Sequence, residues 1–457
     1  MTTAPCKLPQ SWRPVLTAAA CLGLLAGCGG GDTAPAPQPG DAACETLALN
    51  TALAAIFRND YLWADLAPRP DPAAFDDTAA FFQASLYTGG DPRFPADRYS
   101  GSQSTEAFNR FFGEGQSLGY GVSVAGLEVL GSPGAPLFVR HVEARSPAAA
   151  AGVQRGDQVL ALNGRHAAEL IAANDFAALT ASQEGESLHL RLRAPGGAER
   201  EHTLSAAVFT LSPVSPPAQF SSAQGRRLGY VQVKDMLPGL TVPLDAAFAQ
   251  FQAAAVQDLV LDLRYNGGGL VSTGRDLASY LAGGRDGQVY AQLVYNGEQA
   301  ARNERLRFKA PGFALNLPRV YVLMGQRTCS ASEQLINGLA GVGVEVVGIG
   351  DTSCGKPVGF QPVARCGRTY SVVNFESLNA RDEGRYFDGF APRCAVTEDF
   401  GRAQGQPGDP LLEAALAHAD SGRCPAPLAG QAAAPAQRAL RRGAAAEPGL
   451  TPGMFMR

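Results

Sequence analysis

Lysine is nearly missing from this chain. Of 38 basic side chains only Lys7, Lys234, Lys309 and Lys356 are lysines; arginine supplies the rest. Histidine is sparse too, at positions 141, 166, 189, 202 and 418. With a net charge of −4 there is no basic footprint, which excludes nucleic acid as the expected partner. No Cys-x-x-Cys spacing suggests a metal site, and neither metal nor cofactor is expected. Gly267-Gly268-Gly269 lacks the Lys-Ser/Thr and the spacing of a phosphate loop. No internal repeat is visible. At 457 residues the chain is nevertheless long enough for two or three domains with a sizeable core.

The apolar run Val15–Leu25 follows a weakly basic start at Lys7 and Arg13 and is short for a membrane span, so residues 1–27 read as an export signal. The run ends Leu24-Leu25-Ala26-Gly27-Cys28, which resembles a bacterial lipobox and makes Cys28 the expected lipidation site. That reading places the protein in the bacterial cell envelope, facing the periplasm and held by lipid alone, with the outer membrane as default. Once the signal leaves and Cys28 takes the lipid, six cysteines remain, an even number that suits disulfides in an oxidising compartment. Cys329 precedes Ser330 and Cys354 lies two before Lys356, so if that serine and lysine meet, these sulfurs are neighbours. The expected pairing is Cys329–Cys354, Cys366–Cys394 and Cys44–Cys424.

Along the chain, 28–43 is a Gly/Pro/Ala tether. Residues 44–112 carry helical apolar faces (Leu53, Ile56, Phe57; Phe81, Phe82, Leu86) and read as a small helical domain. Residues 113–212 change to short β runs rich in glycine. There Ser146-Pro147 opens a short helix as N-cap and first position, and Asn163-Gly164 is a hairpin signal. The order SPAAAAGVQRGDQVLALNG resembles the core of a PDZ domain, and Leu118-Gly119-Tyr120-Gly121 resembles its carboxylate-binding loop. Such domains bind C-terminal tails as an added strand, which makes proteins or peptides with free C-termini the expected partners; a purely structural module is the plain alternative.

Residues 213–227 read as a Pro/Ser linker into a third region, 213–424. It holds two strand–loop–helix units: Asp258–Leu263 leading through Arg264-Tyr265-Asn266-Gly267-Gly268-Gly269 into a helix, and Val320–Met324 leading through Cys329-Ser330 into another. A strand Val344–Ile349 follows, then the turn bearing Lys356. Loops at the carboxyl ends of such strands are where βαβ sheets place chemistry. Residues 425–457, Ala/Pro/Arg-rich until the last few, read as a disordered tail.

A serine hydroxyl needs a base, and no histidine stands in a loop of this sheet. Lys356 remains, and it serves only if burial keeps it partly neutral, which arginine could not be at biological pH. Backbone N–H groups at the helix start, Ala331 among them, and the Gly268/Gly269 turn are the oxyanion candidates. On spacing alone, Ser332 with Glu333 is an equal pair, with Ser330 as an N-cap.

The combination of a tethered helical start, a PDZ-like module, DLRYNGGG, TCSASE and CGKPVGF resembles the carboxyl-terminal processing proteases, peptidase family S41, in the family's order over residues 44–420. The resemblance implies a multidomain α/β protein with a ClpP/crotonase-like protease core. It implies a serine endopeptidase with a Ser330–Lys356 dyad, and an oxyanion hole at the end of NGGG and at Ala331. Gln361 is the match for an orienting polar residue, although Pro357 stands where a glycine is common and the spacing is about one longer. Cys329 replaces the small residue usual before the nucleophile. A catalytically inactive tail-binding scaffold, and a small-molecule-binding or esterase member of the same fold, are the alternatives.

Overall fold

A computed structural model describes residues 42–426 and 453–456. The signal segment, Cys28 and the tether up to residue 41 lie outside the described residues. No helix among the described residues is long and apolar enough to cross a membrane.

The architecture is multidomain α/β. Its site-bearing part runs β1 (Arg227–Gln232), α1 (Thr241–Ala253), β2 (Asp258–Asp262), β3 (Gly268–Leu270), α2 (Val271–Leu281), β4 (Arg319–Met324), α3 (Ala331–Gly341), β5 (Glu345–Gly350), β6 (Val358–Phe360) and β7 (Gly453–Phe455). The main sheet has the order Ala218–Ser221, β1, β2, β4, β5, Cys394–Ala395. All its pairs are parallel except the first. The near-continuous apolar runs of β2 and β4 follow from burial on both faces. Leu259, Leu261, Val320 and Val322 enter the large core beneath α1, α2 and α3, while Val260, Tyr321 and Leu323 point to a second core covered by the helix Pro410–Ser421. Side chains alternate across a strand, so one apolar run feeds two cores.

A second sheet lies beside it, in the order β3, β7, β6, Val373–Leu378, Val289–Tyr295, Glu304–Arg307. The PDZ-like region closes its own core, from Tyr120 to Ala206, around the strands Leu137–Val142, Gln158–Leu162 and Ser187–Arg193. The helices Thr46–Asn59 and Thr78–Ala84 instead send Leu53, Phe57, Phe81 and Phe82 into the large core shared with the main sheet.

Four expectations are corrected. The Pro/Ser linker contains an edge strand, Ala218–Ser221, antiparallel to β1. The triple glycine is loop only at Gly267; Gly268 and Gly269 begin β3. Cys329 pairs with Cys354, but the other bridges are Cys44–Cys366 and Cys394–Cys424 rather than 366–394 and 44–424. Folding brings Cα atoms of both pairs to 5.5 and 5.3 Å, disulfide range, and the chain between cysteines does not encode which will meet. Finally, the tail read as disordered contributes β7 to the second sheet's interior.

Candidate active site

Ser330 sits at the bend from β4 into α3 with φ 61° and ψ −115°. A non-glycine residue in that region carries strain of about 1–3 kcal/mol, which the surroundings must hold. They do so by stitching the bend to the loop after β2. Thr328 Oγ1 donates to Leu263 O at 2.8 Å, Cys329 N to Asn266 O at 3.0 Å and Ser332 Oγ to the same carbonyl at 3.1 Å. Ser330 is fully buried, and its Oγ has no hydrogen-bond partner among the described residues. Ser332, the rival nucleophile, is committed to Asn266.

Lys356 is 2% exposed, its Nζ 4.0 Å from the Phe360 ring centroid and 5.9 Å from that of Tyr99. Loss of hydration disfavours the ammonium and pushes its pKa down to about 7, against the opposing pull of Asp97 and Glu333. Tyr99 reaches the same turn, its hydroxyl donating to Gly355 O at 2.7 Å.

Glu333 is the residue that sequence reasoning undervalued. Its buried carboxylate accepts from the backbone N–H of Ser330 (2.9 Å) and Lys356 (2.8 Å) on Oε2. On Oε1 it accepts from Gly355 N (2.8 Å) and the Ser353 hydroxyl (2.5 Å). Burial raises its pKa and these donors hold it down. The available signal was an acid at the third position of a helix, where first-turn N–H groups need acceptors. The Cys329–Cys354 bridge and a bond from Cys354 N to Thr328 O (3.0 Å) tie the two turns together again. Sulfurs of Cys329 and Cys354 lie near Glu333, and those of Cys394 and Cys424 near His418, but both pairs are disulfides and present no thiolate to a metal.

Of the oxyanion candidates, Ala331 opens α3, where the helix itself offers no acceptor for its N–H. Gly268 N–H is committed to Asn266 Oδ1 at 2.9 Å. Gly269 has φ 134°, and a Cβ there would stand 2.3 Å from Met236 O, so the position requires glycine. Gln361 donates its side-chain amide to Tyr295 Oη at 2.9 Å and its N–H to Asn374 Oδ1 at 2.5 Å.

On the PDZ-like side, Leu118 and Gly119 end the strand Gln116–Gly119, paired with Ala207–Thr210. Tyr120 is buried, and Gly121 packs so close to Ser146 that a Cβ would meet it at 2.0 Å. A cleft of about 320 Å³ brings Leu118 and Ala181 together with Asp235, Gly268 and Gly269. From the same module Arg155 donates to Tyr265 Oη at 2.7 Å and to Glu398 at 2.8 Å. Of the tail-binding candidates Leu118 alone borders this cavity, and of the oxyanion candidates Gly268 and Gly269.

Residues 227–381 match the model of peptidase family S41 and 138–193 that of a PDZ domain. A carboxyl-terminal-processing protease of Synechocystis is 29% identical over 197 residues, 43% of this chain and 44% of that protein. The Bacillus subtilis carboxy-terminal processing protease CtpB is 24% identical over 260 residues, 56% of this chain and 51% of that one. The chain thus spans about half the length of the curated relatives it matches. A putative S41 protease from Bacteroides fragilis superposes with a TM-score of 0.65 at 26% identity, covering 81% of this chain and 97% of that one. The chain carries a peptidase family S41 domain joined to a PDZ domain.

Proposed function

We propose that the chain is a serine endopeptidase that uses Ser330 as nucleophile and Lys356 as its base. The observation that carries this is the shared anchoring, on one buried carboxylate, of a desolvated lysine and a strained serine whose hydroxyl has no hydrogen-bond partner among the described residues. In the reaction, neutral Lys356 takes the Ser330 proton as Oγ attacks the peptide carbonyl. The tetrahedral oxyanion lies at the start of α3, where Ala331 N–H stabilises it; with Gly268 N–H held by Asn266 Oδ1, any second donor from β3 is the Gly269 N–H. Lys356 then returns the proton to the leaving amine, giving an acyl-Ser330 ester and a new N-terminus. Water, deprotonated by the same lysine, hydrolyses the ester and restores both groups.

The PDZ domain supports selection of substrates by their C-terminal tails, with Leu118–Gly121 as the carboxylate loop. The signal-like segment ending in a lipobox-like Cys28 and the three disulfides support a place in the cell envelope facing the periplasm, with envelope proteins as substrates. The test is cleavage of casein and of peptides with apolar C-termini by the native chain, Ser330→Ala and Lys356→Arg. Both variants are expected to be inactive. Tail binding without cleavage by the native chain would make it a scaffold instead, and cleavage by Lys356→Arg would remove the lysine from its role.

A further inference from the structure

The second sheet has an unusual member. Its strand β7 comes from the far end of the sequence and lies in the interior, parallel to β3 on one side and to β6 on the other. Its neighbours are the parts of the proposed active site. Gly268 and Gly269 stand opposite Gly453 and Met454 in the ladder. Met454 Sδ lies 3.5 Å from Gln334 Nε2 on α3, the helix that begins after Ser330. Phe455 faces Phe360, ring centroids 5.4 Å apart, and the Phe360 ring is the one beneath Lys356 Nζ. Met456 N donates to Phe360 O at 3.0 Å.

Both side chains are shut away. Met454 is 0% and Phe455 1% exposed. They point to opposite faces, as strand geometry requires. The Phe455 ring also sits 4.5 Å from Phe112 and 5.4 Å from Phe108, in an aromatic seat on the helix Thr105–Glu114. Take β7 away, and β3 and β6 become two facing edges with a gap one strand wide. Such edges hold an extended peptide by main-chain bonds, while pockets choose its alternate side chains. The sequence that joins β7 to Cys424 is rich in Ala, Pro and Gly, and β7 itself brings the large apolar groups.

We propose that residues 453–456 are a built-in occupant of the substrate slot between β3 and β6, so that the chain's own segment competes with incoming peptide. This rests on the peptidase reading of Ser330 and Lys356. It also specifies the slot: an extended peptide with an aromatic or large apolar residue at the position held by Phe455.

The test compares the full chain with Phe455→Asp and with a chain ending at Pro448, by casein and quenched-peptide cleavage. A self-occupied slot lowers apparent affinity by the unoccupied fraction, so both variants should show KM reduced by about fivefold or more with kcat little changed. Equal KM in all three chains overturns the proposal. So does failure of both variants to fold at 25 °C, seen as loss of the cooperative melting transition, because β7 would then be a structural strand; a melting temperature lowered by a few degrees is what loss of any bound occupant gives. A second measurement is independent of catalysis. The labelled peptide GLTPGMFMR should bind the Ser330→Ala chain ending at Pro448 and be displaced by unlabelled peptides with a matching aromatic; no binding overturns the proposal. If no chain cleaves anything, the peptidase reading has failed, and the labelled peptide still decides who occupies the slot.

Discussion

Ser330 and Lys356 donate their backbone N–H groups to the same oxygen, Oε2 of Glu333, at 2.9 and 2.8 Å. One buried carboxylate therefore fixes the proposed nucleophile and base relative to each other, although 26 positions separate them in the sequence. Its second oxygen takes Gly355 N and Ser353 Oγ, which leaves neither side of the carboxylate idle.

Glu333→Gln tests that anchor. An amide has one acceptor oxygen and one donor nitrogen, so one pair of donors would face a donor. Leaving such buried groups unmatched costs about 1–3 kcal/mol. Urea unfolding should show a loss of that order, and kcat should fall by more than the loss of folded protein explains. A variant with native stability and native kcat would mean that the two turns are held by the bridge and by Asn266 alone.

The pH dependence has a definite sign. As the proposed base, Lys356 works only when neutral, and its pKa is pushed down to about 7. Activity should therefore fall as pH drops below about 7, roughly tenfold per unit in kcat/KM. Stability moves with it. Between the folded value and the unfolded value near 10.5 the unfolded chain binds more protons, so stability rises with pH across that window. Below about 7 the full cost of burying the charge is present. Lys356→Met should then be inactive yet more stable than the native chain at pH 6, with the gap closing by pH 10. Equal melting temperatures for the two chains at both pH values would show that the ammonium is solvated.

Much of this site was legible before folding. Strands β2, β4 and β5 and helix α3 were visible because apolar period and run length report burial on one or two faces. Ser330 and Lys356 could be proposed as a pair by eliminating histidine and through family resemblance, and the structure brings their turns together on Glu333. Glu333 was seen only as a partner for Ser332, because a carboxylate's value here comes from four donors that meet only after folding. The disulfides Cys44–Cys366 and Cys394–Cys424 were misassigned for the same reason: pairing is a property of distance in space. Strand β7 was missed since three residues, Gly453–Phe455, carry no periodicity that could reveal a partner 185 positions away at Gly268.

The Cys329–Cys354 bridge should matter more for catalysis than for folding. It closes a short loop, with a sequence separation of 25, worth on the order of 3 kcal/mol by chain entropy. It also links the residue before Ser330 to the turn that carries Lys356. A Cys329→Ala/Cys354→Ala chain should remain folded at 25 °C, with a melting temperature lowered by a few degrees and kcat reduced at least about tenfold, the effect expected when reacting groups lose alignment. Unchanged kcat with a lowered melting temperature would make the bridge a stability element only.

Gly269→Ala examines the backbone of β3 in its proposed part at the oxyanion site. At φ 134° an alanine is strained, and its Cβ would stand 2.3 Å from Met236 O, the carbonyl that also accepts Leu270 N at 2.8 Å. Relief requires β3 to move away from Met236, which shifts the turn beside Ser330. The cost combines about 1–3 kcal/mol of backbone strain with that displacement. Peptide cleavage should be lost while the PDZ core, closed on its own residues, keeps its fold and still binds apolar-tailed peptides. Gly196→Ala is the matched control: the added methyl meets nothing within 4 Å, so both activity and melting temperature should stay native. Retained cleavage in Gly269→Ala would free the β3 turn from any part in stabilising the oxyanion and leave Ala331 to supply it.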